Sequence, residues 1–312
     1  MIKRIIFWLN NSRLFSLPMT LMSWLVVFLY ALKCGGDVIN GVVALVGISF
    51  AHLATNLFDD YVDYKKLSVC GFEGAPESKC SYIRSGESCV QELLAVVVTF
   101  LFIAAICGIF LTLRCGIIVP LLAAAGGLIV LLYPFLSSRG LSEFAVGTAF
   151  GPLLFEGVYF VMCGKFSGFV LLLSFAVVIF TVILLYVHTL LDYDGDEAAC
   201  KMTFCRRFGS KSRALKFLSV LFFIGYFLSA VIVFLSKNYY FLLTLLTVPY
   251  AVQLYGAIYS YNIDKYSLPK LSFFNFPMEK TNIQAFHQRL FLARNLMIYF
   301  SFFAALAIVL SD

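Results

Sequence analysis

Residues 168–197 read GFVLLLSFAVVIFTVILLYVHTLLDYDGDE. Twenty-four positions pass with His188 as the sole ionisable nitrogen, and then four carboxylates fall within six residues. As a helix the first part extends ~36 Å at ~1.5 Å per residue, enough to cross ~30 Å of hydrocarbon. The run is continuous, without the apolar/polar alternation of a lipid-facing barrel strand, so it predicts a transmembrane helix ending in an acidic turn. The rest of the chain agrees. Of its 312 residues, 62% are hydrophobic and only 13% charged, with a mean hydropathy of +0.94. Soluble domains hold about 45–50% apolar and about 25% charged residues, which excludes a soluble globule, and disorder needs the opposite balance.

Working outward, similar runs occupy 16–33, 38–58, 91–113, 115–135, 143–163, 214–236, 239–261 and 290–310. With 167–191 they predict an all-α, polytopic membrane protein of about nine helices. The expected arrangement is a single domain, 1–312, bundled around a central cavity. Pro120 and Pro152 fall inside spans and are expected to kink them. Met1–Phe15 is basic but lacks a long apolar core and a cleavage site, so it reads as an interfacial entry segment. With a cytoplasmic N-terminus, nineteen Lys and Arg lie on the cytoplasmic side, against Lys33, Arg114, Lys165 and Lys237 on the other. That bias fits the positive-inside rule and an odd number of spans. The net charge of +6 therefore concerns loop distribution, not nucleic acid. Nine cysteines cannot all pair with one another, and the wide spacings of Cys70, Cys80 and Cys89 do not resemble the pairs of zinc sites; free thiols are expected.

A second acidic stretch, Asn56-Leu-Phe-Asp-Asp60-Tyr61-Val-Asp63, closes the second span. At 100° per residue, Asn56, Asp59, Asp60 and Asp63 share one helix face. Asp192 and Asp196 are likewise one turn apart. Such carboxylates repel one another, and the negative end of the helix dipole adds to the repulsion, unless a cation lies between them. One cluster could simply mark the membrane boundary. Two clusters on even-numbered spans, against a basic trend on the same side, point to two halves of a divalent-metal site. Mg²⁺ binds through one or two carboxylates together with substrate phosphates, so a diphosphate held between two acidic helix ends is the natural substrate class.

These motifs resemble those of the UbiA-type intramembrane prenyltransferases. Asn56, Asp60 and Asp63 are similar to the family's first aspartate-rich motif. Asp192 and Asp196, followed by Lys201, Thr203, Arg207 and Gly209, are similar to the second. Among subfamilies the chain most resembles the 1,4-dihydroxy-2-naphthoate polyprenyltransferases of menaquinone synthesis. That likeness rests on the Asp60–Asp63 spacing, on Arg13-Leu-Phe-Ser-Leu-Pro18, and on Tyr133-Pro134, Arg139-Gly140-Leu141, Glu143 and Phe150-Gly151-Pro152. Asp59, His188, Thr189, Leu191 and Cys200 depart from that branch.

The resemblance implies transfer of a polyprenyl chain from its diphosphate to an aromatic acceptor, with Mg²⁺ held by Asp60, Asp63, Asp192 and Asp196. It implies Lys201 and Arg139 as diphosphate contacts, with Arg84 a further one, and Asn56 assisting. Tyr61, Tyr133 and His188 are expected at the substrates. His52 and Glu156 are ionisable residues within spans; His52 either faces the cavity or bonds a neighbouring helix. The implied location is a bacterial cytoplasmic membrane with the active site on the cytoplasmic side. Other acceptors (4-hydroxybenzoate, a modified naphthoate, haem) remain open. A secondary transporter is the different-class alternative, although its polar groups would lie at the bilayer midplane.

Overall fold

The computed structural model describes residues 2–70, 80–198, 202–264 and 285–311. Among these residues there is no strand, and nine helical stretches are long and apolar enough to cross a membrane. The chain opens with an amphipathic helix, α1 (Ile2–Asn11), and a short 3₁₀ turn at Leu14–Ser16. The remaining spans are α2 (Pro18–Lys33), α3 (Val38–Cys70), α5 (Val90–Cys115) and α6 (Ile118–Ser138), with the one-turn α4 (Ser81–Arg84) between α3 and α5. Span five is composite: α7 (Ser142–Thr148), a π-helical turn at Ala149–Leu153, and α8 (Leu154–Cys163). Then come α9 (Gly168–Leu191), α10 (Tyr193–Ala198), α11 (Lys211–Ser236), a 3₁₀ stretch (Tyr239–Thr247) leading into α12 (Val248–Ile263), and α13 (Ala285–Leu310).

Capping residues set the boundaries. Ser167 accepts a hydrogen bond from the Val170 amide and Ser210 one from the Arg213 amide, satisfying amide groups that a helix start leaves unpaired. Gly164, at φ +72°, ends α8 in the left-handed conformation that glycine adopts without strain.

Helix α9 is the axis of the larger core. It packs on α2, α7, α8, α11 and α13, and its phenylalanine Phe180 stacks on Phe300 at 3.7 Å between ring centroids. The Tyr186 hydroxyl donates to the Ala214 carbonyl at 2.7 Å, tying α9 to α11. A smaller core joins Trp8 of α1 and Tyr82 of α4 to Leu53 and Leu57 of α3 and Leu93 of α5. Phe102, Ile109 and Leu113 of α5, Leu121 and Leu128 of α6 and Phe223 and Phe227 of α11 stay exposed, as lipid-facing side chains do.

The expected kinks are only partly placed. Pro152 lies in the π turn, beside Gly151 at φ −97°, ψ −110°, and π turns and proline are established causes of helix kinks. Pro120 is the third residue of α6, where no intrahelical N–H bond is lost, and the interior proline of that helix is Pro134.

Candidate active site

The acid-bearing stretch of α3 continues as helix well past the apolar run, to Cys70, so Asn56, Asp59, Asp60 and Asp63 do lie on one regular helix. Asp60 is buried. Its Oδ1 accepts from the Arg13 guanidinium at 2.7 Å and its Oδ2 from the Tyr82 hydroxyl at 3.1 Å, while the Cys80 thiol donates to its carbonyl at 3.3 Å. Arg13 also lies 3.7 Å from Asp59. Burial works against the charge on Arg13, but Asp60 and Asp59 outweigh it and hold the guanidinium above its usual range. The arginine reaches them from a left-handed backbone, φ 60°, between α1 and the 3₁₀ turn. The far end of α1 is fixed too: Arg4 pairs with Glu92, and the Ser88 hydroxyl bonds the same carboxylate at 2.9 Å.

Asn56 turns toward the same segment, its Nδ2 donating to the Ser12 carbonyl at 2.9 Å and to Ser16 Oγ at 3.2 Å. His52, one turn earlier, bonds Ser16 at 3.1 Å and Thr20 at 2.8 Å and meets the edge of Phe150. Of the two expectations for His52, the bond to a neighbouring helix is what forms. Glu156 accepts the Ser167 amide at 3.1 Å, at the opposite end of the bundle from Asp60. Tyr61 stacks on Phe58 and carries Lys65 over its ring.

The second acidic turn is not one continuous helix. Asp192 terminates α9 at φ −93°, ψ 13°, and α10 begins at the next residue. The Asp196 amide nevertheless donates to the Asp192 carbonyl at 2.8 Å, preserving the one-turn spacing across the break. Asp196 is buried; Asp194 and Glu197 point elsewhere, to Lys211 at 2.6 Å and Arg206 at 3.5 Å.

Further polar residues lie near the two acidic stretches. Tyr133, near the end of α6, lies within electrostatic range of Asp59, Asp63, Arg13 and Glu143. Buried Glu143 accepts from Ser142 at 2.9 Å and from Thr189 at 3.4 Å. Thr189 in turn meets Cys205 at 3.1 Å. Burial pushes the Cys205 thiol up to about 12, with Glu143 and Asp196 adding to the rise against its bonds to Thr189 and Tyr186. Buried and bonded to Thr189 and the Tyr186 carbonyl, it ties the end of α9 to the 3₁₀ turn at Cys205–Phe208.

Arg139 is exposed, and its carbonyl takes the Arg207 guanidinium at 2.6 Å. The adjoining Gly140 has φ +67°, and a Cβ there would sit 2.8 Å from the Met202 carbonyl oxygen and 2.9 Å from the Thr203 carbonyl carbon. Gly140→Ala should therefore cost about 1–3 kcal/mol from the left-handed backbone alone. A fall in melting temperature checks it; an unchanged value would mean the 139–143 and 202–207 loops are not in register. Arg84 is exposed at the end of α4, and His188 is exposed against Phe286 at 5.8 Å. Lys201 lies outside the described residues. Sequence reasoning did not single out Arg13 as the partner of Asp60, nor Tyr82, nor the Glu143–Thr189–Cys205 bridge.

Within this frame, a family model described as the UbiA prenyltransferase family matches residues 16–278. The chain belongs to the UbiA prenyltransferase family. The fold agrees with solved UbiA-type structures. A structure concerned with digeranylgeranylglyceryl phosphate synthase is 16% identical, with a TM-score of 0.63, covering 99% of this chain and 100% of that one. A UbiA homolog from Archaeoglobus fulgidus bound to DMAPP and Mg²⁺ is 17% identical, with a TM-score of 0.61 over 97% and 99% of the two chains. The A. fulgidus homolog bound to GPP and Mg²⁺ gives 16% and 0.57 over 96% and 99%. No curated protein matches the sequence.

The UbiA-type site offers carboxylate oxygens on two separate elements. Among the described residues no three His, Cys, Asp or Glu side chains gather closely enough to hold a metal by themselves. The carboxylates expected at the metal, Asp60, Asp63, Asp192 and Asp196, are thus not gathered into one cage among the described residues; Mg²⁺ itself takes one or two carboxylates plus phosphate and water. Asp60 keeps acceptor capacity as well, since its two hydrogen bonds use about half of a carboxylate's lone-pair sites.

Proposed function

We propose that this UbiA-family prenyltransferase moves a polyprenyl group from its diphosphate to an aromatic acceptor, 1,4-dihydroxy-2-naphthoate of menaquinone synthesis, releasing diphosphate and CO₂. The observation that carries the reading is the pair of acidic turns, on α3 and at the junction of α9 and α10, each with one buried carboxylate, Asp60 and Asp196, in a chain that matches the UbiA family over residues 16–278. Asp60 and Asp63 on one side and Asp192 and Asp196 on the other would hold Mg²⁺, which neutralises charge on a departing diphosphate. Arg139, Lys201 and Arg84 supply cations to the diphosphate oxygens. Arg13 and Tyr82 fix the Asp60 carboxylate, so little reorganisation is left for the moment of reaction. Tyr61 and Tyr133 offer ring faces to positive charge developing on the allylic carbon. His188 and Leu191, at the end of α9, bear on which acceptor is taken.

The charge bias supports an acidic end and N-terminus on the cytoplasmic side, and the membrane that goes with this reading is the bacterial cytoplasmic one. Carboxylates at a helix end, and not at the midplane, favour chemistry on a lipid-borne diphosphate over transport. The test is to supply purified protein with labelled polyprenyl diphosphate and separate acceptors. Turnover with the naphthoate should disappear in excess chelator and return with Mg²⁺. Undiminished transfer in chelator would sink the metal clamp, and transfer to 4-hydroxybenzoate alone would replace the acceptor.

A further inference from the structure

At the end of the bundle opposite the acids, two cysteines from different spans converge. Cys34 caps the C-terminus of α2, where its amide donates to the Ala31 carbonyl at 3.0 Å. Cys163 is the last residue of α8, and its thiol donates to that same carbonyl oxygen at 3.7 Å. Two residues beyond Cys34, a Cβ on Gly36 would lie 3.1 Å from the Cys163 sulfur. The two α-helix ends are locked together around this cluster: the Asp37 amide donates to the Met162 carbonyl at 2.9 Å, and Tyr30 packs on Tyr159 with centroids 5.9 Å apart. Cys34 is exposed and Cys163 half-buried, and both are reduced in this structure.

We infer that Cys34 and Cys163 are an oxidisable pair that closes into a disulfide between α2 and α8. Disulfides need Cβ atoms about 3.5–4.5 Å apart, and the Ala31 carbonyl shared by the Cys34 amide and the Cys163 thiol, with the Asp37–Met162 bond beside it, sets the two residues at one junction between the helix ends. The exposed Cys34 thiolate attacks a low-molecular-weight disulfide such as glutathione disulfide, giving a mixed disulfide and releasing one glutathione thiolate. The Cys163 thiol gives up its proton, its sulfur attacks the Cys34 sulfur, and the second glutathione leaves, so two thiols are oxidised and one disulfide is reduced to two thiols. In the proposed orientation this end faces outside, where oxidised pairs persist. Cys115 is the control. Asn40 donates to its sulfur at 3.3 Å, and its own thiol donates to the Val161 carbonyl at 3.4 Å.

The experiment incubates the purified full chain with glutathione disulfide, alkylates the remaining thiols and maps peptides without reductant. The expected product is a Cys34–Cys163 cross-linked peptide, lost in Cys34→Ser and in Cys163→Ser and retained in Cys115→Ser. The oxidised wild type should melt above the same protein after reduction, a difference absent from both single variants. Recovery of Cys34 and Cys163 as alkylated or glutathionylated monomers, or a cross-link of either to Cys115, would overturn the pairing.

Discussion

Asp192→Asn should lower prenyl transfer by ~10²–10³ with every acceptor supplied, a loss of about 3–4 kcal/mol and the scale of removing one electrostatic stabiliser of a transition state. The substitution keeps size and most hydrogen bonding, and the carbonyl that anchors the Asp196 amide is untouched. The turn between α9 and α10 should therefore persist. Asp63→Asn tests the other half, where Asp63 lies within electrostatic range of Tyr133 and Asp60. Asp60→Asn should also suppress transfer, but it weakens the Arg13 pair at the same time, so its effect mixes chemistry with folding. If well-folded Asp192→Asn and Asp63→Asn proteins turn over normally, the acids are interfacial decoration and the proposed mechanism fails.

Arg13→Ala should give the largest loss of stability of any substitution near the site. It leaves Asp60 buried with only the Tyr82 hydroxyl and the Cys80 contact. Breaking a fully buried ion pair costs about 3–5 kcal/mol. Arg13 keeps 38% of its side-chain surface exposed while Asp60 keeps 10%, so about 2–3 kcal/mol is expected after allowing for solvent screening. A double-mutant cycle with Asp60→Asn separates the pair from everything else Arg13 touches. The double variant should be more stable than Arg13→Ala alone, since the charge needing a partner is gone. Strictly additive losses in chemical denaturation would mean the pair is solvated and the strap formed by α1 is held by its other end, at Glu92.

The spans were legible because a continuous apolar run is a local signal, and lipid leaves the backbone no alternative to helix. Their ends were less so. Helix α3 outlasts its apolar stretch by about three turns because Phe58, Tyr61 and Tyr64 pack against the small core around Trp8 and Tyr82. The 3₁₀ start of span eight has no compositional marker that separates Tyr239–Thr247 from the helix following it. Within the site, Asp60, Asp63, Asp192 and Asp196 announced themselves by spacing, since one-turn repeats of carboxylate are costly and hence informative. Arg13 did not. It lies 47 positions from Asp60, and only the fold brings α1 back across the end of α3. Glu143 was visible as part of a motif, but its bond to Thr189 depends on how α7 packs on α9.

The π turn at Ala149–Leu153 makes span five a helix in which chain length matters as much as composition. Its wide turn carries one residue more than an α-helical turn would. Because that extra residue is absorbed within one turn, deleting a single residue there returns the turn to α geometry and leaves the two halves facing as before. Glu143 would keep Thr189, Glu156 would keep Ser167, and the Val161 carbonyl would keep Asn40. The same one-codon deletion in α7 or α8, where each residue counts for about 100° of turn, would swing one half away from its partners.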